Sequence, residues 1–225
     1  MTPHRSTLKG RIGRGALGAA SLALPLLLAA ACSQQEPVPM AELVRQDGAY
    51  LHPVTLEPYS GTVFASYDDA PRHIERRASL RDGRYDGAFE LYFENRKLSL
   101  REVYRQGQKD GPYEWYFENG QLYERGTYQN GLREGPYEAY FQNGGLFEKG
   151  TYRYGDFHGP RAWFLGDQLL ERMTYVHGQI DGPYERYSPE GTLLLRGTLR
   201  YGDPCGIWTE GSERVVYPTC GFVSD

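Results

Sequence analysis

Three cysteines, five histidines and a few neighbouring carboxylates are the residues of this 225-residue chain whose chemistry could reach beyond packing. His52, His73, His158 and His177 follow no chelating spacing; His158 and His177 fall near turns of a sheet whose strands separate them, which leaves a metal pair possible but not expected. Asp68-Asp69 and Asp203 read as solvated turn residues, because a catalytic carboxylate pair needs a dry, concave pocket to split its pKa values. The chain has no Gly-x-Ser-x-Gly, HExxH, P-loop or Cys-x-x-Cys motif. These residues predict a non-enzyme with no catalytic site, no metal and no cofactor.

The cysteines say more. Cys32 follows a basic leader (Arg5, Lys9, Arg11, Arg14) and an uncharged apolar run from Ala16 to Ala31. That run is too short, and too interrupted by Gly18 and Pro25, to favour a membrane span, so residues 1–31 read as a secretory signal. Leu28-Ala29-Ala30-Ala31-Cys32 resembles a bacterial lipobox, with Ala29 where that motif usually has Leu. The resemblance implies cleavage before Cys32 and a lipid anchor on it; simple secretion after Ala31 is the alternative. Ser33 rather than Asp after the cysteine implies, by the same analogy, delivery to the outer membrane, facing the periplasm or the cell surface.

Cleavage removes four of 25 basic side chains and none of 29 acidic ones, leaving 194 residues with 21 basic and 29 acidic groups, a net charge of −8. Nucleic acid, which requires an excess of Lys and Arg, is excluded as a partner. Export also places Cys205 and Cys220 where disulfides form. Flanking Pro204, Gly206, Pro218 and Gly221 favour a bridge over two separate buried thiols. Such a bridge would stabilise the fold by roughly 3 kcal/mol.

The elements that position these residues are legible from repetition. With 19 Tyr and 28 Gly beside 3 Met, the composition favours short strands and glycine turns over a helical bundle. Segments resembling Gly111-Pro-Tyr-Glu-Trp-Tyr-Phe begin at Gly87, Gly111, Gly135, Gly159 and Gly182, at spacings of 24, 24, 24 and 23, with weaker copies at Gly61 and Gly206. A second motif, Gly120-Gln-Leu-Tyr-Glu-Arg-Gly-Thr-Tyr, lies between them. The predicted fold is all-β: a single-layer twisted antiparallel sheet of consecutive two-stranded units of about 24 residues. Gly-Pro reads as a strand start, and Asn119-Gly120 as a two-residue type I′ turn. That turn sets Phe117 opposite Leu122, Tyr116 opposite Tyr123, Trp115 opposite Glu124 and Glu114 opposite Arg125.

Alternation then gives two faces. One carries Tyr113, Trp115, Phe117, Leu122 and Tyr128, with a Leu column (Ile74, Leu98, Leu122, Leu146, Leu169, Leu193) and a leading aromatic column (Phe89, Tyr113, Tyr137, Arg161, Tyr184, Trp208). It reads as a stacking spine rather than a ligand platform. The other carries a cationic file, Arg77, Arg101, Arg125, Lys149, Arg172 and Arg196, facing Glu90, Glu114, Glu138 and Glu185. The file reads as a self-neutralising ladder that pins register rather than a polyanion site. Ala162 breaks it in the unit where Arg161 replaces the leading Tyr, so His158, Arg161, Trp163 and Arg172 form the candidate partner-binding patch.

The pattern G-P-Y-E-x-Y-F-x-N-G-x-L-x-E-x-G-x-Y-x-x-G resembles the MORN-variant repeats, in particular the YwqK-like antitoxin group, over roughly residues 61 to 210. The resemblance implies a sheet used for protein or lipid contact. The domains are expected as a lipoprotein signal peptide (1–31), a flexible spacer with a degenerate half unit (32–60) and a repeat domain (61–225). The expected function is an envelope-anchored lipoprotein whose repeats form a scaffold for a protein partner, held to the membrane through Cys32. The alternative is a periplasmic immunity or antitoxin protein.

Overall fold

A computed structural model describes residues 36–67 and 73–221; the signal segment, Cys32 and Asp68-Asp69 lie outside the described residues. The strands Gly61–Ser66, Ile74–Arg81, Arg84–Tyr92, Leu98–Arg105, Gln108–Tyr116, Leu122–Gln129, Gly135–Tyr140, Leu146–Arg153, Gly159–Leu165, Gln168–Val176, Gln179–Tyr187, Leu193–Arg200, Asp203–Glu210 and Glu213–Val216 pair antiparallel in chain order. They form one sheet of consecutive hairpins, the predicted fold class.

Two kinds of turn alternate, and their places correct the expected ones. Asn119-Gly120 is not a type I′ turn. Only Gly120 has positive φ there (+91°), its N–H donates to the Phe117 carbonyl at 2.8 Å, and Phe117 N–H donates to the Gln121 carbonyl at 2.9 Å. The loop is therefore the three residues Glu118-Asn119-Gly120, a turn followed by a left-handed glycine. The extra residue slips the pairing by one, so Tyr116 faces Leu122, and a bulge at Tyr123 then restores Trp115 to Glu124, Glu114 to Arg125 and Tyr113 to Gly126. Type I′ geometry occurs instead at the junctions between units: Asn130 and Gly131 have φ of +49° and +83°, and Asp82-Gly83, Gln106-Gly107, Tyr154-Gly155, His177-Gly178 and Tyr201-Gly202 repeat the pair of positive angles. The short 23-residue spacing has its cause in Gly166-Asp167, a two-residue loop closed by Leu165 opposite Gln168.

Gly-Pro opens the strands Gly135–Tyr140 and Gly159–Leu165, as expected, but not every strand that carries it. Gly111 and Pro112 lie inside Gln108–Tyr116 at a bulge, not at its start, and Gly111 has φ +139°. A Cβ there would come within 2.8 Å of Val103 Cβ, so glycine is required by space and by backbone angle alike.

The slip and bulge move the Leu column. Ile74, Leu98, Leu122, Leu146, Leu169 and Leu193 pair with Ser66, Tyr92, Tyr116, Tyr140, Phe164 and Tyr187, and each is half-buried. The bulge residue takes the expected place, with Tyr123 packing on Trp115 and Phe117 at ring-centroid distances of 6.4 and 5.0 Å. The aromatic column alone forms the buried spine: Phe89, Tyr113, Tyr137 and Trp208 are buried.

The two ends are built differently. Residues 36–60, read from sequence as spacer and half unit, include Val38–Pro39, which pairs parallel with Val63 and Phe64. Met40, Leu43 and Tyr50 pack on a core of Tyr59, Val63, Ala78, Leu80 and Phe89. At the other end Cys205 and Cys220 are joined by a disulfide (Cα–Cα 5.0 Å), and Trp208 packs between Tyr184 and Tyr217.

Both long edges are stitched as well. Gly107, Gly131, Gly155, Gly178 and Gly202 donate their N–H groups to carbonyls of Tyr85, Lys109, Arg133, Phe157 and Ile180 in the preceding unit, at 2.7–2.9 Å. On the opposite edge Asn95 and Asn119 donate Nδ2 to the carbonyls of Glu118 and Gln142 in the next unit.

Candidate functional site

The ladder runs as a single row across the sheet. In strand order its members are Arg77, Glu90, Arg101, Glu114, Arg125, Glu138, Lys149, Ala162, Arg172, Glu185, Arg196, Thr209 and Arg214, each directly opposite the next. Ion pairs join Arg101 to Glu90 (3.2 Å) and Glu114 (3.8 Å), Arg125 to Glu138 (2.5 Å), and both Arg172 (2.5 Å) and Arg196 (2.8 Å) to Glu185.

A tyrosine two residues along each strand completes these groups. Tyr92, Tyr116, Tyr140 and Tyr187 donate their hydroxyls to Glu90, Glu114, Glu138 and Glu185. The Tyr140 hydroxyl and Arg125 together hold the Glu138 carboxyl below its ordinary range. In the exceptional unit the pair is replaced as a whole. Ala162 removes the carboxylate and Phe164 removes the hydroxyl that would have had no acceptor.

The aromatic face holds a second set of carboxylates, Glu124 and Glu148 in one row with Trp115, Ala139 and Trp163, and Glu102 in the neighbouring row between Phe89 and Tyr113. Glu102, Glu124 and Glu148 are buried among the rings. Glu102 accepts from Lys109 Nζ at 2.6 Å; Glu124 accepts from Arg133 at 2.8 Å and from the Tyr113 hydroxyl at 2.7 Å; Glu148 pairs with Arg161. Burial, reinforced by hydrogen bonds to Glu124 and Glu148, pushes the Tyr113 and Tyr137 phenols well above their ordinary value. Burial alone would lower the Arg133 pKa; contacts with Tyr128, Tyr113, Glu124 and Tyr152 outweigh it and raise it. Arg133 also lies over the rings of Tyr113 and Tyr152 at 5.4 and 5.1 Å.

This second set was available from the expected pairing of Trp115 with Glu124, which already placed a carboxylate among aromatics. It also accounts for Arg161. Lys109 and Arg133 occupy one column whose next member is Phe157, so that unit has no cation at that place. Arg161 supplies it from the leading aromatic position, paired with Glu148 and stacked over Phe157 at 3.8 Å and Trp163 at 4.6 Å.

The four residues of the sequence-derived patch are therefore not one surface. Arg161 and Trp163 lie together on the aromatic face, opposite Met173 and Glu171. Arg172 is opposite Ala162 and Glu185 on the ladder face. His158 stands near His177, with ring centroids 5.4 Å apart. Among the described residues no three His, Cys, Asp or Glu gather to hold a metal ion.

What these faces define is an all-β repeat protein with two open, chemically distinct surfaces. The family model described as MORN repeat variant matches residues 109–130 and 133–154, two adjacent units of the sheet. MORN repeats serve in contacts with proteins and membranes. No curated protein matches the chain.

Proposed function

We propose that the chain is an envelope lipoprotein, anchored in the outer membrane by a lipid on Cys32, whose repeat sheet is a non-catalytic scaffold for a protein partner. The anchor rests on the leader and the sequence Leu28-Ala29-Ala30-Ala31-Cys32. The observation that supports the scaffold is a sheet that repeats the same side-chain rows unit after unit while leaving large apolar side chains exposed, among them Tyr123, Phe147, Leu165 and Leu194. Replacement of Cys32 by Ala should release the protein from the membrane fraction; retention there would end the anchor reading. Affinity purification of the full chain from envelope extract should recover one stoichiometric partner, and recovery of none under crosslinking would end the scaffold reading. The resemblance to YwqK-like repeats favours a second reading, a periplasmic immunity protein. It requires a toxin-like neighbouring gene and loss of viability on deletion, and a harmless deletion beside such a gene would dismiss it.

A further inference from the structure

The ladder is not electrically uniform. From Arg77 to Glu138 it alternates three cations with three carboxylates, a neutral row. From Lys149 to Arg214 it has four cations, Lys149, Arg172, Arg196 and Arg214, and one carboxylate, Glu185. Strict alternation would put carboxylates at two further places, and these are Ala162, between Lys149 and Arg172, and Thr209, between Arg196 and Arg214.

Glu185 accepts from both Arg172 and Arg196, whose side chains remain 51% and 58% exposed. Beside this row lie Ile207 and Val216, paired with each other and 54% and 71% exposed. The result is a local excess of three positive charges, edged by apolar surface, on a chain whose net charge is negative.

We propose that the C-terminal half of the ladder face docks an acidic protein segment whose carboxylates sit between the exposed heads of Lys149 and Arg172, over the buried Ala162, and between those of Arg196 and Arg214, over the exposed Thr209. The inference rests on the scaffold reading and names the partner's chemistry. Elsewhere in the row the group between two cations is always a carboxylate, so a carboxylate is the ligand that these two places fit. They are four strands apart, ~19 Å at ~4.8 Å per strand, a distance that an extended chain crossing the sheet spans in about six residues. An even separation points both acidic side chains of that segment to the same side. A membrane surface would supply negative charge without this spacing.

The test uses the full chain and a fluorescent peptide of Ser and Thr carrying two Glu about six positions apart. It should bind, weaken as salt rises, and be replaced neither by the same peptide with Lys nor by one with adjacent Glu residues. The double variant Ala162→Glu/Phe164→Tyr rebuilds the alternation internally and should weaken peptide binding about tenfold without lowering thermal stability. Thr209→Glu, at an exposed position, should do the same at the second place. Unchanged affinity in both variants, equal binding of the adjacent-Glu peptide, or binding to phosphatidylglycerol vesicles without binding to the peptide would overturn the proposal. A partner from envelope extract that binds all variants equally would overturn it too, and would leave the scaffold reading standing. Peptide binding that follows the variants, with no envelope partner, would reverse that outcome.

Discussion

Arg161 is the residue at which one local rule is broken to satisfy another. It displaces the aromatic that leads every other strong unit, and in doing so neutralises Glu148, whose expected cation is missing at Phe157. A buried carboxylate left alone is costly, so Arg161→Tyr should lower stability by about 3 kcal/mol in urea unfolding. Phe157→Arg/Arg161→Tyr, which restores the arrangement seen at Arg133 and Tyr137, should recover most of that loss; a double variant no better than the single would refute the compensation. Sequence comparison among the units showed that Arg161 was exceptional and suggested a ligand. What it missed was that the aromatic face already contained carboxylates, because Glu124 and Arg125 are adjacent in sequence and only alternation sends them to opposite faces. Ala162 and Phe164 follow the same logic on the ladder face, where a carboxylate and its hydroxyl donor vanish together.

Among the elements, the hairpin shows why strand partners were legible and loop geometry was not. Glu114 opposite Arg125 and Trp115 opposite Glu124 were expected and are observed, although the loop has three residues rather than two. The extra loop residue and the bulge at Tyr123 cancel, so the inner register is the same by either route. Asn-Gly is compatible with both turn types, and the choice depends on how many residues remain between the strands, a quantity that pairing fixes and local sequence does not. Gly126 carries a clearer signal, since its ideal Cβ would lie 2.8 Å from the Tyr113 ring, and the recurring Gly-Thr-Tyr keeps that space open. The loops contribute more than reversal of direction. Asn119 Oδ1 accepts the Gln121 N–H at 2.9 Å while its Nδ2 reaches the Gln142 carbonyl of the next unit at 3.1 Å. Asn119→Ala should therefore lower stability by about 1 kcal/mol and raise amide exchange at Gln121. Unchanged exchange there would contradict the bond from the Gln121 N–H to Asn119 Oδ1.

For the whole molecule, the aromatic spine and the two sets of carboxylates make stability sensitive to alkali. Burial, followed by hydrogen bonding to Tyr50, Glu114 and Glu171 respectively, raises the phenols of Tyr85, Tyr116 and Tyr184 from 10 to about 12. These groups stay protonated in the fold after the unfolded chain has begun to ionise, so their contribution is complete below pH 10 and is lost as pH rises from there through about 12. The melting temperature should hold to pH 10 and then fall, with tyrosinate absorbance appearing together with unfolding; ionisation of these phenols at their ordinary value in the folded protein would contradict it. The order of pairing has one more consequence, a mechanical one. From Gly61 onward each strand is bonded to its neighbours in chain order, so the hydrogen bonds between units line up with the direction in which the ends of the repeat sheet would be drawn apart. Under tension the sheet opens rung by rung, like a zip, instead of resisting as a block in shear. A unit of about 24 residues would release ~80 Å of chain per step, while the Cys205–Cys220 bridge keeps the 15-residue span between its cysteines from extending.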